Sequence, residues 1–215
     1  RIYRVAAGQQ SAQFQFLDEL DVTASEYVDT NEELNETIQS ATFDPPNERM
    51  QGLRIAPQGF AVGFFDNVVA FSEFNRLHAW PTNYQIALDW PVVAVEVIDA
   101  GVVVATEGQP YLLQGVDPRS MTPRQLWLEE ACVSKESMVS LGYGAMYASV
   151  NGLVMVSNNG AELITQAIVT EKEWAEFQPE TIHPNGLNGQ NVAFYGTSSD
   201  GQRLVFDPRG PNREY

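Results

Sequence analysis

Apolar and polar positions alternate in short runs along most of the chain, and from about residue 52 the runs recur at a spacing that predicts a repeated β unit. The tripeptides Val62-Gly63-Phe64, Val104-Ala105-Thr106, Tyr147-Ala148-Ser149 and Tyr195-Gly196-Thr197 share an apolar or aromatic residue followed by Gly or Ala. Their central small residues stand 42, 43 and 48 positions apart. A turn signal follows each: Asp66-Asn67, Glu107-Gly108, Asn151-Gly152 and Asp200-Gly201. Another apolar run then begins, at Val68-Val69-Ala70-Phe71, Tyr111-Leu112-Leu113, Leu153-Val154-Met155-Val156 and Leu204-Val205-Phe206. Two apolar runs joined by Asn-Gly or Asp-Gly predict a hairpin, because both central residues of that turn need positive φ.

The unit extends in both directions. Gly52–Ile55, Val93–Val97 and Ser137–Leu141 supply a first strand, and Gln125–Leu128 and Glu162–Ile164 a fourth. Four short strands in 42 to 48 residues is the size of a propeller blade. The fold class is therefore all-β, with propeller-like four-stranded blades over 51–215 and short helical insertions. A sandwich of hairpins is the competing architecture. The small central residue fits crowding between neighbouring sheets. About three and a half repeats are visible where closed propellers use four or more, so the propeller is expected to be incomplete within this sequence.

Residues 1–50 differ. They hold three arginines against ten carboxylates, and read as an acidic arm or the end of a preceding β domain. Ile2–Val5 and Phe14–Leu17 look like strands, residues 31–40 like a helical turn or a solvated loop, and Pro45-Pro46 interrupts regular structure. Two further stretches look helical. Thr170-Glu171-Lys172-Glu173 is a capping box ahead of Trp174, stopped by Pro179, and Pro123-Arg124-Gln125 suggests a short turn after Ser120. Beginning at Arg1 and ending at Tyr215 soon after a strand-like run, the sequence reads as a piece of a longer or processed polypeptide.

The formal charge of −16 repels phosphates and argues against gripping nucleic acid. It does not exclude a lining past which DNA slides, but plain solubility is the simpler reading. Cys132, the one cysteine, lies in an apolar stretch and reads as a small core residue, so no disulfide forms within the chain. No apolar run approaches the roughly 18 residues of a membrane-crossing helix, and no stretch of the sequence reads as a signal peptide.

His78 and His183 belong to no metal-ligand pattern and read as loop or packing residues. Asp29-Thr30-Asn31-Glu32-Glu33 begins like a calcium loop, but Leu34 stands where Gly is needed and Ser40 where a bidentate Glu is needed. Ser198-Ser199-Asp200-Gly201-Gln202 resembles a sialidase-type turn with Gly one residue early and no Trp. There is no Gly-x-Ser-x-Gly elbow, and neither Gly142-Tyr143-Gly144 nor Asn159-Gly160 continues as a phosphate loop. No catalytic residue, metal or cofactor is assigned. The aromatic residues Trp80, Tyr84, Trp90 and Trp174 are the candidate interface anchors, with burial in the core as their bland alternative.

Phe71-Ser72-Glu73-Phe74-Asn75-Arg76-Leu77-His78-Ala79-Trp80-Pro81, with Ala131-Cys132-Val133-Ser134-Lys135 and Tyr147-Ala148-Ser149-Val150-Asn151-Gly152-Leu153-Val154, resembles a family of tailed-phage and prophage virion proteins. Ile2-Tyr3-Arg4 with Tyr27-Val28-Asp29-Thr30 is similar to the closing strands of a fibronectin-like domain that often precedes the propeller there. The likeness runs over roughly residues 1 to 206. It implies a non-catalytic tail component, tube- or nozzle-like, in a homo-oligomeric ring with other virion proteins around the DNA exit path. No specific nucleic-acid binding and no membrane insertion are expected. The implied location is the virion, and the host cytoplasm during assembly. The family carries no catalytic residues to transfer. A carbohydrate- or receptor-binding β module is the second reading, and a propeller hydrolase the third.

Overall fold

The computed structural model describes residues 1–5, 14–30, 44–115, 117–187, 191–198, 200–201 and 203–206. The segment 31–40 and the extreme C-terminal residues lie outside these, as do Ser199 and Gln202 of the sialidase-like turn. Strands β1 (Ile2–Val5) and β2 (Phe14–Asp18) pair as a separate antiparallel two-stranded sheet, with Tyr3 and Phe16 edge to face at 5.9 Å.

The remaining strands form successive antiparallel meanders. The first blade is β3 (Gln51–Ile55), β4 (Ala61–Phe65), β5 (Val68–Phe71) and β6 (Gln85–Ala87). The second is β7 (Val92–Ile98), β8 (Gly101–Thr106), β9 (Tyr111–Gln114) and β10 (Thr122–Gln125). The third is β11 (Val139–Ser140), β12 (Gly144–Ala148), β13 (Leu153–Ser157) and β14 (Gly160–Leu163). The fourth contains three described strands, β15 (His183–Leu187), β16 (Asn191–Thr197) and β17 (Arg203–Phe206). This is the mainly β, propeller-like architecture that the repeat implied, and among the described residues no sheet closes on itself.

Period-two alternation packs the blades face to face. Val62, Phe64, Val69 and Phe71 of the first blade meet Val95, Val102, Val104 and Leu113 of the second. The other face of the second blade, with Ala94, Val103, Ala105 and Leu112, meets Ala145, Tyr147, Val154 and Val156 of the third. Met146, Ala148 and Leu153 then meet Ile182 and Phe194 of the fourth, with Trp174 between. Full burial of each such Val, Leu or Phe side chain contributes about 1.5–3 kcal/mol. First strands are neighbours: Arg54 on β3 pairs with Glu96 on β7 at 2.8 Å, and the Ser140 hydroxyl on β11 donates to the Val97 carbonyl at 2.8 Å.

The loops sort onto two ends. The lower end carries the connections between blades and the turns from second to third strand, tied across blades by Val92 N–H to Asp66 O at 2.8 Å and Cys132 N–H to Thr106 O at 2.9 Å. The upper end carries the other turns, tied by Asp99 N–H to Gly142 O at 2.8 Å. Residues 44–50 run along the outer face of the first blade, where the Asp44 carbonyl accepts from Trp80 N–H and Met50 packs beside Ala61, Phe65, Ala70 and Trp80.

All four tripeptides fall on, or just past, the second strand of a blade. Their small residues do not face the same way, however. Ala105 and Ala148 point toward the following blade. Gly63 instead points at Met50 on the outer side, and Gly196 at Ile182 on the side of the preceding blade. The turn readings also need correction. Asp66-Asn67 is a two-residue connection, with positive φ at Asp66 and not at Asn67. Glu107-Gly108 and Asn151-Gly152 sit in longer loops held by hydroxyls: Gly108 N–H donates to Thr106 Oγ1 at 3.0 Å and Asn151 N–H to Ser149 Oγ at 3.3 Å. Two further two-residue connections are ones the apolar pattern did not single out, Asp99-Ala100 and Asn158-Asn159, each followed by a positive-φ glycine, Gly101 and Gly160. Pro123-Arg124-Gln125 is not a turn but part of β10, an edge strand where a missing N–H is tolerated. Helix α1 (Glu171–Glu176) has the expected capping box, in which Thr170 Oγ1 accepts from Glu173 N–H at 3.3 Å and Glu173 Oε2 accepts from Thr170 N–H at 2.9 Å.

Candidate interaction surface

The structure separates the four aromatic residues expected at an interface. Trp80 is buried on the outer face of the first blade, its indole N–H donating to the Leu77 carbonyl at 2.9 Å. Trp174 is wholly buried, driven inward by α1, and donates to the Ser149 carbonyl at 2.9 Å. Both tryptophans serve packing, and neither offers a face to a partner. Tyr84 is half-buried at the upper end, and its hydroxyl is pushed above the ordinary phenol range by burial, against the lowering influence of Arg119. Trp90 is 45% exposed at the lower end, its indole lying flat against Gly108.

A fifth aromatic escaped the reading as an anchor. The run Gln125–Leu128 reads as a fourth strand, but β10 stops at Gln125 and leaves Trp127 outside it. Leu126 N–H donates to Pro110 O at 2.9 Å and Leu128 N–H turns back to Leu126 O at 2.8 Å. Trp127 stands at the apex of that tight turn, 87% exposed. The signal lay in the run itself: with Leu126 and Leu128 turned inward, the residue between them faces out.

Charge divides unevenly between the ends. At the lower end, Asp66, Asp89, Glu107, Glu129 and Glu136 are exposed, and the α1 connection adds Glu171, Glu173, Glu176 and Glu180. Arg49, Lys135 and Lys172 oppose them, and Arg49 is already paired with Asp66 at 2.7 Å. At the upper end Arg76 and Arg119 sit beside Glu73 and Asp117 in near balance. The described charges of the first strands are the Arg54–Glu96 pair, so the acidity is concentrated at one end rather than spread along these strands.

Buried polar groups at the lower end are internally satisfied. Glu130 accepts from Ser149 Oγ at 2.6 Å and from Asn151 Nδ2 at 3.0 Å, and its carbonyl accepts from Tyr147 OH at 2.8 Å. Burial pushes the Cys132 thiol up to about 11 and the Tyr147 hydroxyl well above its ordinary value. Ser149 is fully buried and its hydroxyl is tied to Glu130 and the Gly152 carbonyl, so it is a strut and not an accessible nucleophile. His78 and His183 are both exposed, at opposite ends, and His183 stacks on Tyr195 at 6.5 Å. Among the described residues no three His, Cys, Asp or Glu side chains group as metal ligands, and no helix is long and apolar enough to cross a membrane.

These sheets define a protein with a propeller-type β fold. No family model matches the chain, and no curated protein matches its sequence. Among solved structures it is similar to selenomethionine-substituted virginiamycin B lyase from Staphylococcus aureus, at 8% identity and a TM-score of 0.45, covering 75% of this chain and 56% of that one. A streptogramin B lyase is similar at 12% identity and a TM-score of 0.44, covering 83% and 60%. A chain from S. cerevisiae dbp5 bound to nup159, gle1, IP6 and ADP is similar at 12% identity and a TM-score of 0.45, covering 80% and 44%. In each case this chain spans less than two thirds of the structure it matches.

Proposed function

We propose that the chain is a non-catalytic structural segment of a tailed-phage or prophage virion protein, a tube- or nozzle-like tail component that assembles with other virion proteins around the DNA path. The observation that carries this reading is the state of the blade faces. Inside the chain, each face with a neighbour is sealed by apolar side chains of the next blade. On the outer side of the first blade, Leu53 and Ile55 remain 55% and 63% exposed beyond the cover of residues 44–50. On the far side of the fourth, Tyr195 is 38% exposed on a sheet with three described strands. Exposed apolar residues that continue a series of sealed interfaces favour lateral contacts with further protein.

The resemblance around Phe71–Pro81, Ala131–Lys135 and Tyr147–Val154 supplies the virion context. The first strands carry one ion pair and so offer DNA little to hold, while the acidic lower end repels it. Location in the virion, and in the host cytoplasm during assembly, belongs to the same proposal. Mass in solution and negative-stain imaging of the full-length protein, with labelled antibody on purified particles, test it. Rings and labelled tails are expected; a strict monomer absent from particles overturns it.

A further inference from the structure

We infer that the strip from Trp90 to Trp127, at the lower end of the second blade, docks an arginine-bearing basic segment of a partner protein. It rests on the reading that this chain acts through protein contacts, not on its membership of a virion.

The strip is built before any partner arrives. The Trp90 ring lies so close to Gly108 that a Cβ there would come within 2.7 Å of three of its atoms. Thr106 Oγ1 donates to Gln109 O at 2.7 Å, and Gln125 Nε2 donates to Gln109 Oε1 at 2.5 Å. The Leu126–Pro110 and Leu128–Leu126 bonds then hold the turn that projects Trp127. Two exposed indoles are thus joined by a braced backbone, and a binding surface fixed in advance loses less entropy on docking.

Among the described residues, the carboxylates that flank the indoles form no ion pair with Lys or Arg. Asp89, Glu107 and Glu129 are exposed, and the connections 88–91, 107–110 and 126–130 contain no Lys or Arg. Asp89 is oriented by Tyr111, whose hydroxyl donates to Oδ2 at 3.0 Å. A guanidinium stacks its plane on an indole while its edge donates to carboxylates, so it engages both features of the strip together. A lysine engages chiefly the charge, a neutral apolar loop only the rings, and a phosphate is repelled.

The test is fluorescence anisotropy of the purified chain with a short labelled peptide of alternating Arg and Gly, against counterparts with Lys or Glu at every Arg. Saturable binding in the order Arg, Lys, Glu is expected. Trp127→Ala should weaken the Arg peptide about tenfold, and Glu107→Gln with Glu129→Gln should weaken it and flatten its salt dependence. Because Trp127 is 87% exposed, its variant should keep the parent's unfolding midpoint, and Trp90→Ala serves as the second variant. Equal binding of Arg and Glu peptides, or an affinity untouched by both tryptophan variants, overturns the inference. Glycan-array signals that vanish with Trp127→Ala, without peptide binding, overturn it in favour of a sugar. Peptide binding by a chain absent from particles leaves this inference standing and removes the virion proposal.

Discussion

The indole of Trp174 on α1 donates to the main-chain carbonyl of Ser149, 25 residues earlier, at 2.9 Å. One bond thus fixes the helical connection between the third and fourth blades to the turn that ends β12. The ring also fills the apolar layer shared by Met146, Leu153, Ile182 and Phe194. Trp174→Phe should therefore cost about 1–3 kcal/mol for a buried carbonyl left without its donor, and Trp174→Ala about 3–5 kcal/mol for the cavity. Urea unfolding of both variants measures the difference, with the midpoint falling in that order.

Glu130 offers a second test of the same end. Glu130→Ala leaves the Asn151 amide without its acceptor and the Ser149 hydroxyl with only the Gly152 carbonyl at 3.0 Å, and should destabilise by about 2 kcal/mol. Glu130→Gln keeps one acceptor oxygen and the side chain's shape, and should lose about half as much. An unchanged denaturant slope with a shifted midpoint would place the effect in the folded state.

Gly101 and Gly160 occupy the same position after two-residue turns, at φ +141° and +137°, yet their surroundings differ. A Cβ on Gly101 would collide with the Leu113 carbonyl oxygen, whereas one on Gly160 meets nothing within 4 Å. Gly160→Ala should cost about 1–3 kcal/mol, the strain of the backbone alone. Gly101→Ala should cost more, because β8 and β9 must separate. Thermal unfolding in parallel checks the order, and equal losses would sink the steric account.

Cys132 supplies the pH prediction. Burial raises its thiol from an ordinary value near 9 to about 11, with the Ser134 carbonyl accepting from Sγ at 3.3 Å. A group whose folded pKa is raised lends stability that is complete below its unfolded value and lost as pH climbs through the folded one. Its contribution is therefore intact at pH 8 and fades between about pH 9 and 11. Ellman's reagent should find the thiol unreactive at pH 8 in the native protein and fully reactive in guanidinium. Rapid native reaction would mean that the third blade opens locally.

Much of the fold was legible because strands and turns announce themselves locally. A strand repeats every two residues, so Val104–Thr106 and Tyr111–Leu113 read as two runs joined by a turn without reference to anything distant. The α1 cap was equally local, since Thr170 and Glu173 satisfy each other's backbone within one helical turn. The boundaries failed where residues serve two patterns. Pro123 reads as a turn residue, yet it sits on an outer strand whose free edge makes no demand on its nitrogen. Gly108 and Gly152 read as hairpin glycines, yet hydroxyls of Thr106 and Ser149 organise those loops.

What the amino-acid order determines by itself is the recurring pairs of short strands, their meandering succession, the capped helix and the excess of negative charge, all consequences of neighbours along the chain. Packing between blades decides the rest. It turns Ala105 and Ala148 one way and Gly63 and Gly196 the other, buries Trp80 and Trp174, and leaves Trp90 and Trp127 in solvent. The physical reason is that a strand has two equivalent faces. Alternation shows which residues share a face, but only the sheet lying against it decides whether that face is covered.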